Sequence, residues 1–186
     1  MCGWRNILLI ISLVAASCAD AELEVFDTIG GDFELEDQYG NSYRLSDHNG
    51  KIRVLFFGFT YCPDICPTTL GEITEVWGQL SADEQQQIEI LFVSVDPQRD
   101  SAELLKRYLD GFELPVLGLR GSEQEIRPVV EQYASFYERV TLDSALEYTI
   151  DHSSQTFVID KNGQIRGWVK YDQAPAALLE MLRQLL

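Results

Sequence analysis

The chain has 186 residues, 46% of them hydrophobic, with 14 basic against 30 acidic side chains and a formal charge of −16. That balance excludes nucleic-acid binding, which needs basic patches. It suits solubility and a partner with a basic surface.

Residues 1–21 read as a targeting segment. Arg5 and the amino terminus give the positive region, and Ile7 to Ala16 is the apolar core. Its length fits a signal peptide and is too short for a transmembrane helix. Two cleavage patterns compete. Ala19-Asp20-Ala21 fits the small-x-small rule. Val14-Ala15-Ala16-Ser17-Cys18 resembles a bacterial lipoprotein box, with Cys18 the lipidation candidate, although Ala15 stands where a large aliphatic residue is usual. Removing residues 1–17 takes away Arg5 and no acid, so the remainder is more acidic still. Residues 22–186 are expected to form one domain, long enough to bury a core. No internal repeat, linker or low-complexity tract is seen.

Phe33 to Glu36 and Ser42 to Leu45 alternate around Gly40-Asn41, which predicts a hairpin. His48 lies in Ser46-Asp47-His48-Asn49-Gly50, a turn composition that argues against a ligand role. Val54 to Phe59 is almost unbroken apolar and aromatic sequence, the pattern of a strand buried on both faces. Pro67 suits the first position of a helix. Leu70, Ile73, Trp77 and Leu80 then keep helical spacing. Between strand and helix stand Cys62 and Cys66. A helix N-terminus offers free N–H groups and partial positive charge, which favour thiolate.

Ile88 to Val95 predicts a second buried strand, ended by Asp96-Pro97. Asp96, Arg99 and Asp100 make a charged loop at that strand's carboxyl end, where α/β sites cluster, and a structural Arg–Asp pair is preferred there to a functional site. Ser101 caps a helix to Leu109. Val116 to Leu119 is a short strand. Ser122 and Glu125 form a capping box for a helix reaching Ala134, with Pro128 inside it. Ser135 to Val140 and Leu146 to Ile150 read as extended. Thr156 to Ile159 and Gln164 to Val169 form a hairpin across Lys161-Asn162-Gly163, and Ala174 to Leu186 is a closing helix. The order predicts an α/β, thioredoxin-like fold: a central mixed sheet flanked by helices, with an N-terminal hairpin and an internal β insertion.

Of four cysteines, Cys2 and Cys18 fall in the targeting segment. Cys62 and Cys66 remain, and one close pair in an exported chain points to function rather than a disulfide scaffold. The spacing is C-x-x-x-C, one residue longer than the thioredoxin-like C-x-x-C. Two thiolates make a soft site for Cu(I) or zinc, and a third ligand is wanted. The chain has two histidines. His152, in Ile150-Asp151-His152-Ser153-Ser154, is expected in a loop entering a strand, a suitable place for a ligand. A plain redox disulfide between Cys62 and Cys66, and a purely structural His152, stay open on these residues alone.

The stretch from Phe56 to Leu70, FFGFTYCPDICPTTL, resembles the Sco/SenC family of copper-binding assembly factors for cytochrome c oxidase. Ser94-Val95-Asp96-Pro97-Gln98-Arg99-Asp100, Gly118-Leu119-Arg120-Gly121 and Tyr148-Thr149-Ile150-Asp151-His152-Ser153 follow in the family's order. The resemblance implies the thioredoxin-like fold and one copper ion per chain, held by Cys62, Cys66 and His152. Asp151 would orient His152 or cap a turn, and Asp64 would tune the loop's charge or sit exposed at a helix start. It further implies copper delivery to the binuclear site of cytochrome c oxidase subunit II. The chain would also meet a thiol reductant or another copper chaperone, on the periplasmic side of a bacterial inner membrane, held there by a lipid anchor.

Two other functions share the fold. A thiol-disulfide oxidoreductase would use Cys62 and Cys66 as a catalytic redox pair. Such enzymes carry a proline before the facing strand; here Ser154 holds that place, with His152 two residues away. A peroxiredoxin-like peroxidase would need a T-x-x-C context, which Cys62 lacks although Thr60 is near.

Overall fold

Strand β3 (Ile52–Gly58) is buried at every position and forms the middle of the molecule. The computed structural model describes residues 23–143, 146–171 and 173–186. The targeting segment and Cys18 lie outside the described residues. Among the described residues no helix is long and apolar enough to cross a membrane.

The chain runs β1 (Glu34–Asp37), β2 (Ser42–Arg44), a 3-10 turn, β3, α1 (Ile65–Trp77), α2 (Ala82–Gln85), β4 (Ile88–Ser94), α3 (Ala102–Leu109) and β5 (Val116–Arg120). It continues through α4 (Glu123–Gln132), β6 (Tyr137–Thr141), β7 (Tyr148–His152), β8 (Thr156–Ile159), β9 (Ile165–Val169) and α5 (Ala174–Leu185). Seven strands form one sheet in the order β2-β1-β5-β4-β3-β8-β9, and β6 and β7 pair separately. β3 is parallel to β4 and antiparallel to β8, so the sheet is mixed. The β4-β3-β8-β9 set with α1 and α5 is the thioredoxin-like core. The N-terminal hairpin and the β6–β7 insertion stand where the sequence puts them.

Alternation along β3 sorts the two layers. Phe56 and Gly58 face α1 and α3, where Phe56 meets the Phe92 ring and Phe92 meets Tyr108. Phe57 faces the opposite layer, edge-on to Tyr133 beyond the end of α4. Burying such rings contributes roughly 1.5–3 kcal/mol each.

Three local expectations are corrected. Helix α1 begins at Ile65, two residues before Pro67. Pro67 still falls in the first turn, where a missing N–H costs nothing. The short helix α2, opened by a Ser81–Glu84 capping box, was not expected. His152 is the last residue of β7 rather than part of a loop, paired with Tyr137.

Candidate metal centre

The centre lies where β3 gives way to α1. Gly58 ends the strand, and a Cβ there would sit 2.9 Å from Cys66 Sγ and 2.8 Å from the Phe92 ring. Only glycine leaves the Cys66 sulfur that room. The chain then turns, with the Cys62 N–H donating to the Phe59 carbonyl at 3.2 Å. Asp64 holds the N-cap position of α1, but its side chain makes no capping bond. That task falls to sulfur: the Cys66 N–H points at Cys62 Sγ, 3.3 Å away. Cys62 is half-buried and Cys66 fully buried, and both are free thiols.

β7 supplies the third donor. Tyr148, Ile150 and His152 alternate inward along the strand, while Asp151 points out. His152 is 9% exposed. Its Nδ1 lies 2.8 Å from the Ser153 carbonyl, which accepts and so places the proton on Nδ1. Nε2 is the ring nitrogen that faces the sulfurs, 3.6 Å from Cys66 Sγ. Edges of Phe56 and Phe59 close the ring in, with centroids 6.2 and 5.6 Å away. One donor atom each from Cys62, Cys66 and His152 lies within 4.8 Å of the others. Two sulfurs and one imidazole nitrogen at that separation suit a soft or borderline metal ion.

The two thiols are unlike. A hydrogen bond from the Cys66 thiol, aided by His152 and by the backbone N–H groups of Cys66 and Asp64, lowers the pKa of Cys62 to about 4 against the opposing effect of burial. Burial, and then the adjacent Cys62, pushes Cys66 far up. The pair therefore holds one thiolate and one thiol, and binding both sulfurs to a metal releases the Cys66 proton.

The remaining sequence candidates fall into place around this set. Asp64 acts through its backbone amide, its carboxylate being exposed. Asp151 lies on the opposite side of β7 from His152, and the Ser153 carbonyl takes the orienting place offered to it. His48 sits apart, 2.9 Å from Glu89 and stacked on Tyr43. The Arg99–Asp96 pair forms as read from the sequence. Asp100, placed by the sequence in the same charged loop, has a contact that sequence reasoning missed: it is fully buried and accepts from the Thr60 hydroxyl and the Ser94 hydroxyl, both at 2.6 Å, and from the Thr60 N–H at 3.1 Å. It thereby fixes the start of the cysteine loop, and burial raises its pKa. No local pattern announces a contact between residues forty apart.

Known proteins share this arrangement of elements. A model of the SCO1/SenC family matches residues 22–186. The SCO2-like protein of Rickettsia felis is 41% identical over 158 residues, which cover 83% of this chain and 76% of that protein. The copper-bound ScoI of Bradyrhizobium japonicum is similar with a TM-score of 0.77 at 34% identity, over 85% of this chain and 99% of that one. BsSco, described as a member of the Sco family of cytochrome c oxidase assembly proteins with a disulfide switch, shares the fold at TM-score 0.69 and 20% identity, over 88% and 96% of the two chains. On the family match and the Rickettsia relative together, the chain belongs to the SCO1/SenC family.

Proposed function

We propose that the domain carries one copper ion on Cys62, Cys66 and His152 and delivers it to the binuclear copper site of cytochrome c oxidase subunit II. The observation that carries this reading is the convergence of two sulfurs and the His152 nitrogen within 4.8 Å. Three protein ligands leave a coordination position open to an incoming thiolate, so transfer proceeds by ligand exchange. Copper in the ScoI relative and the oxidase-assembly role of the Sco family support the assignment. A thiol reductant would keep the pair ready, and another copper chaperone would supply the ion. The site works outside the cytoplasm, at the periplasmic face of a bacterial inner membrane, on a lipid anchor at Cys18. Cys18→Ser should then shift the protein out of the detergent phase; a wild-type product in the aqueous phase would sink the anchor.

A second reading has its own support. A half-exposed Cys62 thiolate beside a buried Cys66 thiol also suits a reductase. Cys62 would attack a partner's disulfide, and Cys66 would displace the reduced thiol, leaving a Cys62–Cys66 disulfide.

His152 separates the two, because thiol exchange needs no imidazole. His152→Ala should weaken Cu(II) binding sharply, while Cys62 and Cys66 still cycle between dithiol and disulfide. Oxidase assembly should fail and be partly rescued by added copper. Unchanged copper affinity and oxidase activity would remove the metal reading and leave the reductase.

A further inference from the structure

The strand that bears His152 is not part of the main sheet: β7 pairs with β6 in a separate two-stranded sheet. The backbone ties β7 to β3 only at its His152 end, where residues 153–155 lead to Thr156, the ladder partner of Phe56. At the Tyr148 end side chains make the link, and the Arg99 side chain reaches both β7 and the cysteine loop. The Arg99 guanidinium lies 3.7 Å from the centroid of the Tyr148 ring and 4.8 Å from that of Tyr61. Tyr148 is on β7, four residues before His152. Tyr61 immediately precedes Cys62. Arg99 Nη1 also donates to the Tyr148 carbonyl at 3.0 Å and, more weakly, to the Leu146 carbonyl at 3.5 Å.

The arginine is itself held. Its Nε pairs with Asp96, a fully buried carboxylate at the end of β4. The other oxygen of Asp96 accepts from the Tyr148 hydroxyl at 2.8 Å. Arg99 and Asp96 thus grip Tyr148 at three places: carbonyl, ring face and hydroxyl. A planar guanidinium can pair, donate and stack at once, which an ammonium cannot.

We infer that Arg99 is a positioning residue for the metal centre, clasping β7 to the cysteine loop so that His152 Nε2 stays within reach of both sulfurs. The inference rests on the copper-site reading above. Arg99 touches none of the three donor atoms, so it acts by holding β7, and with it His152, against the cysteine loop.

The test is a double-mutant cycle on the reduced full chain, read by Cu(II) competition titration and electron paramagnetic resonance. Arg99→Met should weaken Cu(II) binding by about 10- to 100-fold, the usual range for a group that orients a ligand, and diminish the nitrogen hyperfine coupling. In a His152→Ala background the same change should cost clearly less. Arg99→Met leaves buried Asp96 without its cation, so it risks misfolding. Arg99→Lys keeps a positive charge there and should show the same loss of nitrogen coupling. An equal loss in both backgrounds would mark a merely structural residue, and wild-type coupling in Arg99→Lys would equally overturn the inference. If His152→Ala alone leaves Cu(II) binding intact, the copper-site reading itself fails; if only the arginine variants are silent, that reading stands and the clasp falls.

Discussion

Cys62 and Cys66 are four residues apart yet chemically opposite. Cys62 lies before the helix, where a free N–H and the Cys66 thiol both point at its sulfur. Cys66 lies inside the first turn under the aromatic layer, where charge is costly. The depressed Cys62 pKa has a definite sign: thiolate persists as pH falls, down to about 4. In the reduced, metal-free protein, iodoacetamide labelling at Cys62 should therefore stay near its plateau from pH 9 to roughly pH 5. An ordinary thiol would instead lose about tenfold per unit below its pKa near 8.5. Mass spectrometry should find one label, on Cys62, with Cys66 protected by burial. A tenfold fall per unit below pH 8, or labelling of Cys66 first, would show that the charge is not held on Cys62.

At the scale of elements, what was legible had short range. The unbroken apolar run gave β3, and serine caps three residues ahead of an N–H or a glutamate gave α3 and α4. The Ser81–Glu84 box carries the same signal, but the four-residue helix behind it buries nothing, so no apolar spacing marked it. Cys62, Cys66 and His152 were readable as a set because soft ligands are scarce in this chain. The placement of His152 in a loop was not right, since the apolar run at Thr156 drew the strand boundary too late. Tyr148, Ile150 and His152 already alternate, and the inward side of that alternation is what aims the imidazole at Cys66. Asp151 follows from the same geometry: adjacent strand residues face opposite ways, so it cannot lie on the His152 side. The Arg99 clasp was beyond reach, because it joins three segments through ring faces and carbonyls that no spacing encodes.

At the scale of the molecule, chain entry and chemistry lie at opposite ends. The N-terminal segment is tied to β9 through a bridge between Phe26 and Ile165, and Ile165 pairs with Ile159, beside Arg53 at the start of β3. Cys62 follows the far end of β3, roughly 20 Å from the strand's first residue. The centre also joins α1 to β7, which lies outside the main sheet. Copper held across both binds the folded state more tightly than an unfolded chain with the same cysteines, and so stabilises it by mass action. At free copper about a hundredfold above Kd that stabilisation is roughly 2.7 kcal/mol. For a domain of this size it corresponds to a Tm rise of about 5–10 °C. Oxidation to a Cys62–Cys66 disulfide removes both thiolates together, so oxidised protein should show essentially no rise under the same copper. Calorimetry of reduced and oxidised samples, each with and without copper, checks this directly. A rise confined to the reduced form ties the metal to the cysteine pair; equal rises in both forms would take Cys62 and Cys66 out of the site.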